Sequence, residues 1–316
     1  MRDDFNREIS YLRISVTDLC NFNCEYCMPE GIEKKDHSDI LRIEEIENIC
    51  KVAARNGIKK IRLTGGEPLV RKGILSLINK IKSIDEITEV AITTNGVLLD
   101  EMAKDLKAAG LDRINLSLDS MDENVFRKIT RGHELSEVYK GLESALDAGF
   151  ENIKINTVLI NKVNDNEIGD FIALTKNKYE VRFIELMPIG STARYAKEHF
   201  FSADEVLKRY PQLELQENTD KSSPAAYYKL PNHKYRLGLI RPITCNFCSN
   251  CNRLRLTADG KLKPCLHSDM EIDIKKIACN DELLEKSFLS AVSQKPEKHH
   301  LDDGKYIIRG MSKIGG

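Results

Sequence analysis

Along residues 10–187, short apolar runs alternate with longer segments whose apolar residues recur at three- and four-residue steps. The short runs are YLRISVT (11–17), KKIRLT (59–64), EVAITT (89–94), RINLSL (113–118), NIKINTVLI (152–160) and YEVRFIEL (179–186), and each reads as a strand. The longer segments include RIEEIENICKVAARNG, GILSLINKIKSI, LDEMAKDLKAAG and LSEVYKGLESALDAGF, which read as amphipathic helices. Gly57, Gly110 and Gly149 close three of them, as a helix C-terminus favours. Repeated strand–helix units imply parallel strands joined by right-handed crossovers. The candidates are an open doubly wound α/β sheet or a full or partial barrel. Function then collects at the C-terminal ends of the strands. The polar motifs TDLCNFNCEYC, TGGEP, TTNG, SLDS and ELMP each follow a strand there.

After Pro188 the pattern changes: 200–210 reads as helix, 212–232 is polar and turn-rich, 235–240 reads as a strand and 280–300 as helix. The division expected is a core over 1–210 and a C-terminal region over 211–316. The 48 basic and 49 acidic side chains nearly balance, so the chain lacks the basic footprint of a nucleic-acid binder. The N-terminus MRDDFNREIS has no apolar core of a signal peptide, and no apolar run is long enough for a bilayer. The expectation is a cytoplasmic protein with neither nucleic-acid nor membrane partner.

Nine cysteines change the picture, because most of them cluster at 20–27 and 245–265. That clustering points to metal sites rather than a disulfide framework. Cys20, Cys24 and Cys27 stand at CxxxCxxC spacing directly after the first strand. Three thiolates in one loop can hold three corners of an iron–sulfur cube and leave the fourth iron open. S-adenosylmethionine (SAM) can chelate such an iron through its amino and carboxylate groups. Zinc, a disulfide or chance are the other readings; zinc asks for a fourth protein ligand, which this loop does not supply. Cys248, Cys251 and Cys265 form a second group. Cys245 makes a possible fourth thiol there, which would suit zinc or close a cluster. Cys50 reads as a small buried hydrophobe on its helix; Cys279 is unassigned.

CNFNCEYC together with TGGEP (64–68) resembles the paired motifs of the radical SAM superfamily. PITCNFCSNCNRLRLTADGKLKPCL (242–266), with NRLRL directly after Cys251, resembles the second-cluster motif of the molybdenum cofactor biosynthesis protein A family, the GTP 3′,8-cyclases. The resemblance covers nearly the whole chain, through LRISVTDLCNFNCEYCMP, IRLTGGEPLVR, TTNG, INLSLDS, VRFIELMP and the terminal GG. It implies a partial (β/α)6 TIM-type barrel of parallel strands, with a C-terminal extension carrying a second iron–sulfur cluster. The cofactors implied are two 4Fe-4S clusters, on Cys20, Cys24 and Cys27 and on Cys248, Cys251 and Cys265, and SAM. Cys245 is then expected to be a spectator or a transient ligand, since the guanine base takes the open iron of the second cluster.

Carried onto this chain, the family's SAM contacts are Tyr26, Gly66, Ser117 and Met187. Its GTP contacts are Arg13, Arg62, Thr93, Lys154, Arg182, Arg253, Leu254 and Arg255, with Arg253 and Arg255 also in the catalytic role. Chemistry supports the basic set, because a guanidinium offers forked, permanently charged donors to phosphate. Arg13, Arg62, Lys154 and Arg182 lie within strand patterns, and an inward charge is unusual in a barrel. Four at equivalent places point to a convergent anion site. Gly315 and Gly316 are expected to reach that site as a side-chain-free tail. The implied reaction is carried out by a radical SAM lyase. It converts GTP to (8S)-3′,8-cyclo-7,8-dihydroguanosine 5′-triphosphate, the first step of molybdenum cofactor biosynthesis. The implied partners are a reduced electron donor and cyclic pyranopterin monophosphate synthase as the next enzyme, for a monomer or homodimer. The alternative is another radical SAM enzyme with an auxiliary cluster, such as a peptide maturase; a zinc-ribbon binding module is the rival outside enzymes.

Overall fold

The computed structural model describes residues 1–29, 31, 36–299, 301 and 307–315. The expected rhythm is present: β1 (Tyr11–Ser15), α1 (Ile43–Arg55), β2 (Lys60–Thr64), α2 (Ile74–Lys82), β3 (Glu89–Thr94), α3 (Leu99–Ala108) and β4 (Arg113–Ser117). It continues through α4 (Glu123–Thr130), α5 (Leu135–Asp147), β5 (Lys154–Leu159), α6 (Ile168–Leu174) and β6 (Glu180–Glu185). Then come α7 (Ala193–Glu198), α8 (Asp204–Arg209), β7 (Glu214–Gln216), β8 (Ala225–Lys229), β9 (Leu237–Ile240), β10 (Arg253–Leu256), β11 (Lys261–Lys263), β12 (Ile272–Asp273) and α9 (Asp281–Ser293).

The twelve strands of the described residues form one sheet in the order β12-β11-β10-β1-β2-β3-β4-β5-β6-β9-β8-β7. The six strands of the repeat lie parallel in sequence order. Beyond them, β10 joins β1 and β9 joins β6, both in parallel. The parallel run is therefore longer than the six strands read from the sequence, and the C-terminal region supplies both of its edges. Among the described residues the end strands β12 and β7 are not hydrogen-bonded to each other, so the sheet stays open. The polar stretch 212–232 also holds more order than its composition indicates, since β7 and β8 form an antiparallel pair within it.

Period-two alternation divides the strands into two faces. Leu12 and Ile14, Ile61 and Leu63, Val90 and Ile92, Ile114 and Leu116, and Val181 and Phe183 are all fully buried. These pack in the main core with the apolar faces of the helices, including Ile46, Ile49 and Cys50 of α1. Each such side chain contributes roughly 1.5–3 kcal/mol. Cys50 is the small hydrophobe its helical position implied. The opposite face carries Tyr11, Arg13, Arg62, Thr93, Arg113, Ser117, Lys154, Asn156 and Arg182, and all of them line one cavity. A sheet whose eight parallel strands all reach one cavity is a curled one, and that curl is what gathers the site.

Candidate active site

The cavity has a volume of about 550 Å³. At the C-terminal end of the strands its wall is the loop after β1. Cys20, Cys24 and Cys27 lie there as half-buried free thiols. The TGGEP turn after β2 docks on the start of this loop: Gly66 N–H donates to the Thr17 carbonyl at 2.8 Å and Glu67 N–H to that of Leu19 at 2.9 Å. A Cβ at Gly65 would stand 2.6 Å from the Thr17 oxygen, and one at Gly66 2.5 Å from that of Leu19. The glycines are required by this close approach. Gly66 lines the cavity, but its N–H is committed to Thr17, which leaves its carbonyl for a ligand. Glu67 then accepts from Leu69 N–H (3.0 Å), Thr94 Oγ1 (2.8 Å) and Asn95 N–H (2.8 Å), joining TGGEP to TTNG. Asn95 Nδ2 in turn donates to Asn21 Oδ1 at 2.7 Å, inside the cysteine loop. The motifs after β1, β2 and β3 are thus one bonded unit.

Burial pushes the Cys20 thiol up to about 11, with Glu67 adding to it. Cys27 rises to about 12 through burial, Cys20 and Asp119, and Cys24 rises through burial and Asp119. Asp119, of the SLDS motif, accepts from Tyr26 Oη at 2.7 Å and from Val158 N–H at 2.8 Å. It is a wall residue that the sequence reading did not single out. Among the described residues, no three Cys, His, Asp or Glu side chains converge on a single-ion site. Three thiols spread around one loop and open to one cavity fit a cluster that takes a ligand at each of several corners.

The middle of the cavity is basic. Register places Arg255, Arg13 and Arg62 side by side on β10, β1 and β2. Burial, and repulsion from neighbouring arginines, pull all three below the usual guanidinium range. Such crowding is a cost that a bound polyanion offsets. Lys154 donates to Glu180 Oε1 at 2.7 Å, and Arg182 donates to Tyr227 Oη at 2.6 Å. Burial brings Lys154 down to about 8, with Arg182 lowering it further and Glu180 opposing. Tyr11 Oη, Arg62 Nε, Thr93 Oγ1, Arg113 Nε, Asn156 Oδ1 and His267 Nδ1 are buried with no hydrogen-bond partner among the described residues. All six belong to residues lining this cavity. Left unmet, each costs roughly 1–3 kcal/mol, so their collection in one place marks a ligand site. Lys60, Arg113, Tyr227 and Arg236 of this wall carry no sequence motif and were not foreseen; the one signal that could have found them is position, on a strand face for the first three and directly before β9 for Arg236.

Cys248, Cys251 and Cys265 line the same cavity, whereas Cys245 is exposed and outside its lining. Burial alone would raise Cys251, but the Lys295 and Arg253 charges, with a bond from the Arg253 main chain, outweigh it and hold the thiol at about 7. Lys295, from beyond α9, is buried and donates to the carbonyls of Arg253 and Pro264, both at 2.8 Å. Arg7, from the other end of the chain, donates to the Cys248 carbonyl at 2.8 Å. Leu254 differs from its neighbours: its side chain turns to the opposite face and is fully buried in the core. Any part it takes in the site runs through its main chain.

The C-terminal segment enters from the side. Ile307 and Ile314 pack with Ile189 against Met187 and Leu266. Arg309 is held by Asp259 and Glu271. The Gly315 carbonyl accepts from Arg255 Nη1 at 2.5 Å and from Arg13 Nη2 at 3.4 Å. Gly315 has φ +69°, and a Cβ there would collide with Thr64 Oγ1. The expected approach of the tail is therefore seen for Gly315; Gly316 lies outside the described residues.

The sequence pattern of the Radical SAM superfamily matches residues 14–175, and that of Molybdenum Cofactor Synthesis C matches residues 179–301. A GTP 3′,8-cyclase of Peptoclostridium acidaminophilum is 52% identical over 99% of this chain and 98% of its own. That of Alkaliphilus oremlandii is 52% identical over the whole of both. Among solved structures, Streptococcus suis SuiB bound to precursor peptide SuiA superposes with a TM-score of 0.61 at 15% identity, over 92% of this chain and 66% of that one. It shares the fold. On family pattern and full-length identity together, the chain belongs to the GTP 3′,8-cyclase family of the radical SAM superfamily.

Proposed function

We propose that the protein is the radical SAM GTP 3′,8-cyclase of molybdenum cofactor biosynthesis, converting GTP to (8S)-3′,8-cyclo-7,8-dihydroguanosine 5′-triphosphate. The observation that carries this reading is the single cavity lined by both cysteine groups with a rung of arginines between them. Cys20, Cys24 and Cys27 would hold a 4Fe-4S cluster, and Cys248, Cys251 and Cys265 a second one that receives the guanine edge. When bound, the first cluster with SAM supplies a carbon-centred radical, chemistry that belongs to the cofactor.

The chain's own work is binding, orientation and exclusion of water. Tyr26, Gly66, Ser117 and Met187 seat SAM against the cysteine loop. Arg13, Arg62, Lys154, Arg182 and Arg253 hold the triphosphate, and Thr93 supplies a hydroxyl to substrate. Arg255, fixed by the Gly315 carbonyl, orients the reacting sugar and base, with Leu254 contributing main-chain groups. Misplacement by about 1 Å can cost roughly 100-fold in such a step, which gives the bonded tail a purpose. We assign the activity to the lyases, the protein to the cytoplasm, and its product to cyclic pyranopterin monophosphate synthase, with a reduced protein or small-molecule donor supplying electrons. Among the described residues no helix is long and apolar enough to cross a membrane.

The test is anaerobic reconstitution with iron and sulfide, then incubation with SAM, GTP and a strong reductant. About eight irons and eight sulfides per chain are expected, as two cubes require. 5′-Deoxyadenosine and a cyclised triphosphate should form in equal amounts. Deoxyadenosine without loss of GTP would refute the substrate; a colourless protein would refute the cofactor.

A further inference from the structure

At the N-terminal end of the strands the cavity is lined by the loop between β7 and β8. Asn218, Thr219, Asp220, Ser222, Ser223 and Pro224 all line it. This loop meets the first residues of two strands. The Ser222 carbonyl accepts from Arg253 Nη2 at 2.6 Å. Asp220 Oδ2 lies 3.7 Å from Lys60 Nζ. The other carboxylates in the lining, Glu67 and Asp119, follow β2 and β4 and sit at the opposite end, by the cysteine loop. At its own end Asp220 is thus the lining's acidic side chain, set against a wall of cations. The Lys60–Asp220 pair is half-exposed on both sides, 40% and 52%. Such a pair is worth about 0–1 kcal/mol and exchanges readily for a stronger anion.

We propose that this loop is an exchangeable floor that reads the outermost phosphate of the substrate. Without substrate, Asp220 and the Ser222 carbonyl occupy Lys60 and Arg253. The terminal phosphate of a nucleoside triphosphate displaces both, because a phosphate carries more charge than the carboxylate and can take two donors at once. A diphosphate tail, one group shorter, stays among the mid-strand cations Arg62 and Arg182 and leaves the floor in place. The loop thereby selects triphosphates over shorter tails. This deepens the reading of the substrate as GTP and rests on it.

Asp220→Asn separates charge from shape. Oδ1 of Asp220 accepts from Ser222 N–H at 3.0 Å and Oγ at 2.6 Å, and an amide oxygen can keep both bonds. Calorimetric titration of the full chain with inorganic tripolyphosphate should show binding about five-fold tighter in Asp220→Asn than in the parent, with pyrophosphate unchanged. Lys60→Met should reduce the preference for tripolyphosphate over pyrophosphate by roughly ten-fold. Lys221 stands exposed in the loop, so tripolyphosphate, and not pyrophosphate, should speed tryptic cleavage there. Equal effects on the two anions, protection at Lys221, or no tripolyphosphate binding would each overturn the inference. GTP consumption with SAM, assayed on the same proteins, reports separately on the substrate: turnover with no tripolyphosphate selectivity sinks the floor alone.

Discussion

Two cysteine groups face one cavity from surroundings of opposite sign. Around Cys20, Cys24 and Cys27 stand Asp119 and Glu67, and burial keeps protons on the thiols. Around Cys251 stand Lys295 and Arg253, which bring that thiol to about 7 against the effect of burial. Both groups would bind clusters through thiolates, yet only at Cys251 do the protein's charges favour anionic sulfur, while burial raises its neighbour Cys248. The first depends on the metal itself to remove the protons. The difference matches the proposed ligands. A sulfonium is a cation and is favoured where the field leans negative; a triphosphate is favoured where it is strongly positive. On the proposed function, charge divides the cavity into a cofactor end and a substrate wall.

The sharpest way to break this comparison is to remove one thiol from each group. Cys24→Ser should abolish deoxyadenosine formation altogether. Cys248→Ser should still cleave SAM while losing the cyclised product. Both variants should hold about half the parent's iron, since each keeps one intact group. Product analysis by chromatography with iron determination checks both. Full cyclisation by Cys248→Ser would remove the second group from the mechanism.

Much of this division was legible in the sequence, and the exceptions share a cause. The cysteine spacings, TGGEP, and the inward charges Arg13, Arg62, Lys154 and Arg182 are local signals, and the structure brings them to one cavity. Gly66 was read as a ligand contact; the stronger demand on it is the 2.5 Å approach of the Leu19 carbonyl, which a sequence does not display. Leu254 lay between two arginines that face the site, and strand alternation sends it to the core. Lys295 and Arg7 set the field and shape of the second group, but each sits far from it along the chain, and nothing local marks them. β10 could not be placed beside β1 for the same reason: parallel pairing across so long a separation leaves no pattern in either segment.

A smaller effect sharpens the comparison. Lys295→Met removes the cation that lowers Cys251 and two hydrogen bonds that tie the second group together. The Cys251 proton is then held more tightly, so iron should enter the second group only at higher pH. The midpoint of incorporation should rise by about one unit while the first group loads as before. Lys295→Arg keeps the charge and should restore the parent's midpoint. Iron per chain, measured after reconstitution across a pH series, gives the answer. Equal losses at both groups in Lys295→Met would mean a general loss of structure.

The smallest expected effect lies in the substrate wall. Lys154 is brought to about 8, by burial first and then by Arg182, so its charge is present below that pH and lost above it. A bound triphosphate favours the charged form and must repay its protonation as pH rises. GTP affinity should therefore hold steady to about pH 8 and then fall roughly three- to ten-fold by about pH 9.5. The triphosphate is fully ionised over this range and adds no slope of its own, and SAM affinity should change far less, because Lys154 is remote from the cysteine loop along its strand. Lys154→Arg, whose guanidinium keeps its proton to higher pH than the Lys154 ammonium, should flatten the decline. Equilibrium binding of GTP and SAM to the same anaerobic preparations would decide it. Parallel losses for both ligands would show that the alkaline change belongs to the whole cavity, and the charge division between its ends would have to be given up.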